Sequence, residues 1–187
     1  AELVGLQEDL RERPAPAAIQ RGRTGRRTGL TAEVIANAIR QTTRSFPPSY
    51  VLHEMMRRGW GRVVNITSQS VRSPIPALGL SNTARAGLTG FVAGMSRQVA
   101  GHGVCVNNIL PGIHATDRAD SLDKGVSERQ GISIDEARKQ RQSAIPTGTY
   151  GRADDFGATC AFLCSQQARF IVGQNVLLDG GALNVTI

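Results

Sequence analysis

The sequence is poor in the features of a disulfide-linked or membrane-spanning protein. Its 187 residues include only three cysteines, and this odd number offers no disulfide framework and indicates reduced thiols. No run of about 18 apolar residues occurs, so the sequence offers no transmembrane helix. Residues 1–10 lack the basic stretch followed by an apolar stretch that marks a secretory signal. Together these absences predict a cytoplasmic protein without a membrane partner.

Lysine is scarce as well, and 20 of the 22 basic residues are arginine. The net charge of +7 is spread along the chain, with eight arginines against five acidic residues in 1–46 and fourteen basic against ten acidic residues in 47–187. Residues 13–29 hold five arginines, no acidic residue and one sizeable aliphatic side chain, so they bury too little surface to offset the entropy of ordering. We therefore predict a poorly ordered or atypical Arg-rich segment over residues 1–46 and a folded domain over residues 47–187.

From residue 50 onward, helical and strand patterns alternate. Short runs rich in β-branched residues predict strands at residues 62–66, 104–110 and 174–178. Helical spacing of apolar residues predicts helices at 50–58, 82–100, 137–142 and 153–168. This alternation predicts an α/β fold with a parallel sheet and helices on both of its faces.

Capping residues and apolar stripes indicate where two of these helices begin and which face is buried. Ser81 is placed to cap the helix at 82–100, and Ser133 with Glu136 fits a capping box ahead of the helix at 137–142. The predicted buried stripe of the longest helix consists of Ala84, Leu88, Phe91, Val92, Met95 and Val99.

No metal site is predicted. Cys160 and Cys164 lie one helical turn apart, so a metal pair is one interpretation, but no second ligand pair is spaced to complete a site. Two small core residues are therefore the favoured interpretation. His102 and His114 are single histidines in loops, and we expect both to be solvated.

Three short motifs follow one another along the predicted domain. Residues 61–68 read GRVVNITS, residues 106–112 read VNNILPG, and residues 173–181 read GQNVLLDGG. In order and spacing they resemble three strands of the short-chain dehydrogenase/reductase family, the first of which ends in the catalytic serine. The resemblance covers roughly residues 50–187. It implies the C-terminal part of a doubly wound, Rossmann-like parallel sheet whose three strands lie side by side, with the N-terminal nucleotide-binding half missing.

The same resemblance implies three catalytic positions, two of which carry substituted residues. Ser68 matches the family's serine, and the family's tyrosine and lysine would stand thirteen and seventeen residues later, at Ser81 and Arg85. A divergent or truncated member with Ser-Asn-x-x-Arg in place of Tyr-x-x-x-Lys is therefore implied. A serine hydroxyl ionises far less readily than a phenol, whose ordinary pKa is about 10. An arginine keeps its charge and does not relay a proton.

The resemblance also implies a cofactor site. Pro111 and Gly112 match the family's Pro-Gly turn, and Thr116 matches the threonine that contacts the nicotinamide carboxamide, which implies NAD or NADP as cofactor. The family's glycine-rich turn, which receives the pyrophosphate at a helix N-terminus, has no recognisable counterpart before residue 50. The implied activity is an NAD(P)(H)-linked oxidoreductase that acts on a small carbonyl or alcohol.

Two other functions stay open. The chain could be a catalytically inactive remnant, or a subunit that packs against a complete homologue through a helix such as 82–100, so a homo-oligomer or a partner-dependent protein is expected. The more remote alternative is a nucleic-acid binder that uses the Arg-rich segment, which is disfavoured because no aromatic residue is interleaved to stack on bases.

Overall fold

Residues 49–186 are described by a computed structural model of the chain, and they form an α/β fold. The helices are α1 (Ser49–Arg57), α2 (Gly79–Ala100), α3 (Asp117–Gln130), α4 (Ile134–Ser143) and α5 (Ala153–Leu163), and the strands are β1 (Gly61–Ile66), β2 (Val104–Pro111) and β3 (Asn175–Leu178). The predicted Arg-rich segment, residues 1–46, lies outside the described residues. None of the helices within residues 49–186 has the length and apolar character needed to cross a membrane.

The strands form one parallel sheet in the order β1–β2–β3, which confirms the predicted side-by-side arrangement. The first ladder runs from Gly61↔Val104 to Ile66↔Ile109, and the second from Asn108↔Asn175 to Pro111↔Leu178. Because parallel strands point the same way, the residues that follow them emerge at one edge of the sheet, where open α/β sheets bind ligands. The segments after Ile66, Pro111 and Leu178 therefore meet there.

The central strand β2 is covered on both faces. Val104 and Val106 lie on the face that packs against α1 and α2, in a core with Val92 and Val99. Cys105 points to the opposite face, where its thiol donates to the Arg169 carbonyl oxygen at 3.5 Å, and α5 contacts β1 and β2. The predicted helices on both faces are thus confirmed.

The buried stripe of α2 is narrower than predicted. Val92, Met95 and Val99 are buried, but Phe91 is 46% exposed, so its place in the stripe was wrong. Ser96 is fully buried instead. Gly173 packs closely against it, because a Cβ added to Gly173 would lie 2.6 Å from the Ser96 hydroxyl oxygen.

The beginning of α2 also differs from the prediction. The helix begins at Gly79, so Ser81 is its third residue and not its cap. The N-cap position is Leu78, which makes no capping hydrogen bond. The turn before the helix is held differently, because the Asn82 amide donates to the Ile75 carbonyl oxygen at 2.8 Å. At α4 the predicted capping box of Ser133 is confirmed.

An asparagine ladder crosses all three strands. Asn65, Asn108 and Asn175 are register partners, and the Asn65 amide donates to Asn108 at 3.1 Å while the Asn108 amide donates to Asn175 at 2.7 Å. Asn108 is fully buried, so the ladder satisfies polar groups that water cannot reach. A shift of one residue would move each amide to the other face of the sheet, so the ladder fixes the strand register.

Candidate active site

The three strand ends converge at Gly112, directly after β2. A Cβ at this position would lie 2.6 Å from the Asp179 Cβ and 2.9 Å from the Gln69 Oε1 atom. Real Cβ atoms do not approach other atoms so closely, so glycine is required here. The loop after β1, which carries Gln69, therefore touches the loops after β2 and β3.

An open cleft of about 290 Å³ lies at this edge of the sheet. It is lined by Pro111, Gly112, His114, Thr116, Ala153 and Phe156. The structure thus brings together the three residues implied as cofactor contacts, Pro111, Gly112 and Thr116. Ala153 and Phe156 come from the first turn of α5, so the cleft lies between the loop after β2 and the start of that helix.

Thr116 is exposed at the cleft and also begins α3. Its hydroxyl oxygen accepts the Ala119 backbone N–H at 3.4 Å, and the hydroxyl donates to the His114 carbonyl oxygen at 3.4 Å. A hydroxyl has one hydrogen and two lone pairs. One lone pair of Thr116 therefore remains for an N–H donor, such as a carboxamide, that enters the cleft.

His114 lies in the cleft, and the prediction that it is solvated was wrong. Its side chain is half-buried, its ring packs edge-to-face on Phe156 with centroids 5.7 Å apart, and its Nδ1 lies 3.3 Å from the Gly112 carbonyl oxygen. The Nε2 atom is buried and has no hydrogen-bond partner among the described residues. The signal for this residue is its position between Gly112 and Thr116, two residues implied as cofactor contacts.

Ser68 stands two residues beyond β1 and begins a short 3-10 turn, Gln69–Val71. Its hydroxyl oxygen accepts the Ser70 backbone N–H at 3.1 Å, which leaves the hydroxyl hydrogen free to donate. The neighbouring Gln69 Oε1 is buried and has no hydrogen-bond partner within residues 49–186. Sequence reasoning missed Gln69, although it follows Ser68 directly.

Ser81 and Arg85 lie one turn apart on α2, and the Arg85 guanidinium donates to the Ser81 hydroxyl oxygen. Both side chains are half-buried. The turn that follows Ser68 packs against α2, so all three implied catalytic residues belong to adjoining elements. None of the three lines the cleft described above.

A buried carboxylate anchors the helices beside the cleft. Asp123 on α3 is fully buried and accepts the Tyr150 hydroxyl at 2.7 Å, Arg138 Nε at 3.1 Å and a further hydrogen bond from Arg141. Burial raises the pKa of Asp123, but the hydrogen bonds from Tyr150, Arg138 and Arg141 outweigh it and leave the pKa below its ordinary value.

The Tyr150 hydroxyl is part of the hydrogen-bond network around Asp123. Burial, with the hydrogen bond to Asp123, raises the pKa of Tyr150 to about 12. Its hydroxyl therefore stays protonated at neutral pH. Tyr150 is therefore engaged with Asp123 and is not free to act as the tyrosine that the resemblance implies at position 81.

Comparison with known proteins identifies the family. A family model described as enoyl-(acyl carrier protein) reductase matches residues 17–183. The chain belongs to this family of short-chain dehydrogenase/reductases. Its match begins well before residue 50, so the likeness reaches further towards the N-terminus than the quoted motifs do.

Several curated relatives are reductases. The chain is 34% identical over 137 residues to the 3-oxoacyl-[acyl-carrier-protein] reductase FabG of Rickettsia felis, covering 72% of this chain and 51% of the relative. It is 33% identical over 129 residues to the NADPH-dependent reductase BacG of Bacillus subtilis (69% and 50%), and 36% identical over 138 residues to an acetoacetyl-CoA reductase of Cupriavidus necator (70% and 49%). The chain thus spans about half the length of these relatives.

Solved structures share the fold. The structure of YwfH, an NADPH-dependent reductase involved in bacilysin biosynthesis, matches 81% of this chain and 54% of its own with a TM-score of 0.65 and 28% identity. A variant of actinorhodin polyketide ketoreductase with NADPH matches 70% of this chain and 50% of its own, with a TM-score of 0.64 and 27% identity. The Rossmann-like α/β fold implied by the motifs is therefore confirmed.

Proposed function

We propose that this chain forms the nicotinamide and substrate side of an NAD(P)(H)-linked oxidoreductase that interconverts a small carbonyl compound and an alcohol. The observation that carries the proposal is the cleft that unites Pro111, Gly112 and Thr116 at the C-terminal edge of the sheet. Relatives named as NADPH-dependent, 3-oxoacyl and acetoacetyl-CoA reductases support it. Which of NAD and NADP is used stays open.

The residues at the cleft suit the nicotinamide end of such a cofactor. Gly112 lets the loops after β1 and β3 pack closely beside the cleft, and Thr116 keeps a lone pair for the carboxamide N–H. A bound nicotinamide would supply hydride. Phe156 and Pro111 would exclude water from one side of the ring, because both present apolar surface to the cleft.

Ser81 and Arg85 are proposed to polarise the substrate without titrating. Arg85 donates to one lone pair of the Ser81 hydroxyl, so the hydroxyl keeps its own hydrogen for a substrate oxygen. A cationic donor strengthens this second hydrogen bond, since charge-assisted hydrogen bonds are the stronger ones. Ser68 would orient the same oxygen with its free hydrogen. The proton that completes the alcohol then comes from water, because serine does not ionise near neutral pH.

The test is the oxidation of NADH and NADPH by the full chain with a small β-ketoester as substrate. Arg85→Ala should lower kcat by up to about 10², the loss expected when a donor to a developing oxyanion is removed, because Ser81 then loses the charge that strengthens its own hydrogen bond. Arg97→Ala is the control, because Arg97 lies on the same helix but is exposed. The pH–rate profile should also show no alkaline ionisation of the kind that a catalytic phenol produces.

Two results would contradict the proposal. One is the absence of turnover with both cofactors. The other is an Arg85→Ala variant as active as Arg97→Ala.

A second candidate function, a subunit that packs against another copy or a longer homologue, is favoured by the outer face of α2. A Cβ added to Gly87, Gly90 or Gly94 would meet no described atom within 4 Å, and Phe91 beside them is 46% exposed. Small residues let helix backbones approach closely. Sedimentation should show association that Gly90→Leu weakens, whereas a monomer at high concentration would reject this function.

A further inference from the structure

Helix α5 connects the cleft to the opposite edge of the sheet. Its first turn supplies Ala153 and Phe156 to the cleft, and its eleven residues span roughly 16 Å. Its far end carries Cys160 and Cys164, next to Arg62 at the beginning of β1. The two thiols are therefore remote from the residues proposed for catalysis.

The two cysteines stand on consecutive helical turns. The Cys164 backbone N–H donates to the Cys160 carbonyl oxygen at 3.0 Å, so helical geometry holds through both residues. Residues at i and i+4 of a helix lie on the same face, so the two thiols are neighbours on the surface of the helix. Cys164 is exposed and Cys160 is partly exposed. The interpretation of both as core residues was therefore wrong, and a reagent in solution can reach the pair.

Helical geometry favours an atom that bridges the sulfurs over a disulfide bond. Residues at i and i+4 have Cβ atoms about 5–6 Å apart, whereas a disulfide needs about 3.5–4.5 Å. The final turn of α5 would have to unwind for a disulfide to form. A tetrahedral atom with bonds of about 2.3 Å to sulfur instead holds two sulfurs about 3.8 Å apart, a separation that two thiols with Cβ atoms about 5–6 Å apart can reach.

Arg62 provides charge beside the pair. Its Nε donates to the carbonyl oxygen of Ser165, the residue after Cys164, at 3.0 Å. Burial and contact with Cys160 raise the pKa of Cys164, and the Arg62 charge opposes this rise. The guanidinium therefore compensates negative charge that appears on the sulfurs when a ligand displaces their protons.

We propose that Cys160 and Cys164 form a dithiol site that binds a thiophilic ion or a trivalent arsenical through both sulfurs. The third thiol, Cys105, is 4% exposed and does not compete. Within residues 49–186 no group of three His, Cys, Asp or Glu side chains could hold a metal. Solvent or the ligand's own groups would thus complete the coordination.

Phenylarsine oxide is the probe, and its reaction needs no oxidant. Two As–S bonds form and the As–O bond breaks, and the oxygen leaves as water with the two thiol protons. The product is a ring that contains both sulfurs. Because the second bond forms within the same molecule, an excess of a monothiol should remove the adduct about tenfold or more slowly than a one-sulfur adduct.

The full chain is treated with the probe and then with excess 2-mercaptoethanol, and the surviving adduct is measured by mass spectrometry. Trypsin cleaves after Arg152 and Arg169, so the peptide 153–169 carries both cysteines of the site and Cys105 lies on another peptide. We expect one resistant adduct on 153–169, in the wild type and in Cys105→Ala, which 2,3-dimercaptopropanol removes.

Cys160→Ser and Cys164→Ser are the matched variants, and both should lose the resistance to monothiol. Because Cys164 is exposed, Cys164→Ser is less disruptive to folding than Cys160→Ser. Circular dichroism verifies that both variants are folded. An adduct that is as resistant in Cys164→Ser as in the wild type would overturn the proposal. An adduct on the Cys105 peptide, or none at all, would overturn it equally.

Discussion

The carboxylate of Asp123 is expected to be the most sensitive polar group in the described domain. It is fully buried and accepts hydrogen bonds from Tyr150, Arg138 and Arg141, which ties α3 to α4 and to the loop before α5. The change to test is Asp123→Asn, which keeps the shape of the side chain and removes its charge. One of the two carboxylate oxygens becomes an amide that donates instead of accepting.

The expected loss in free energy of unfolding follows from the burial of Asp123. Arg141, which is 18% exposed, and Arg138, which is 38% exposed, would then face a neutral side chain. Breaking a buried pair destabilises a protein by about 3–5 kcal/mol, and this range is an upper value here because water reaches part of Arg138. A domain has a free energy of unfolding of only about 5–15 kcal/mol. At about 2–4 °C per kcal/mol for a chain of this size, the melting temperature should fall by about 6–20 °C.

Asp120 provides the matched control. It pairs with the same Arg138, at 2.7 Å, but its side chain is 62% exposed. An exposed pair contributes only about 0–1 kcal/mol, so Asp120→Asn should be nearly neutral. Urea unfolding followed by circular dichroism gives both free energies. If the two variants differ by less than about 1 kcal/mol, the reasoning that burial decides the cost is refuted.

Four further predictions concern stability. The pKa of Asp123 lies below its ordinary value of 3.8, so the free energy of unfolding should fall as the pH drops below that value, and Asp123→Asn should remove this dependence. The pKa of Tyr150 is raised to about 12, so stability should fall as the pH rises from about 10 through 12, but not in Tyr150→Phe. Ser133→Ala removes the cap of α4 and should cost about 1 kcal/mol in a thermal melt, whereas an unchanged melt would contradict the capping role. Gly103→Ala should destabilise by more than about 1 kcal/mol, because φ is +73° and its Cβ would lie 2.1 Å from the Gly59 carbonyl oxygen; equal stability to wild type would show that the turn relaxes.

The strands were predictable because their signals are local. The run Arg62–Ile66 contains its own β-branched residues, and the strand at 104–110 ends in Pro-Gly, so each could be recognised without its neighbours. The sheet order followed from the family resemblance. Both are confirmed by the ladders between β1, β2 and β3.

The polar interior was not predictable, because its partners are far apart in sequence. Asn65 meets Asn108 and Asn108 meets Asn175 across 43 and 67 residues. No sequence-spacing rule connects such positions. An isolated asparagine in an apolar run only weakens the strand pattern and gives no sign of its partner. Asp123 was missed for the same reason, since Tyr150 lies 27 residues further along the chain.

The Ser81 hydroxyl was predicted to cap a helix, but in the structure it has a different partner. A serine just before an apolar stripe predicts an N-cap, because its oxygen can accept an unpaired backbone N–H. In the structure α2 begins at Gly79, and the oxygen of Ser81 accepts from Arg85 one turn later. A cap would have left the hydroxyl engaged with the backbone, whereas the contact with Arg85 leaves its hydrogen available beside a fixed positive charge. The position at which the resemblance implies a tyrosine therefore still carries an O–H beside a positive charge, and this contact decides which chemistry should be tested here.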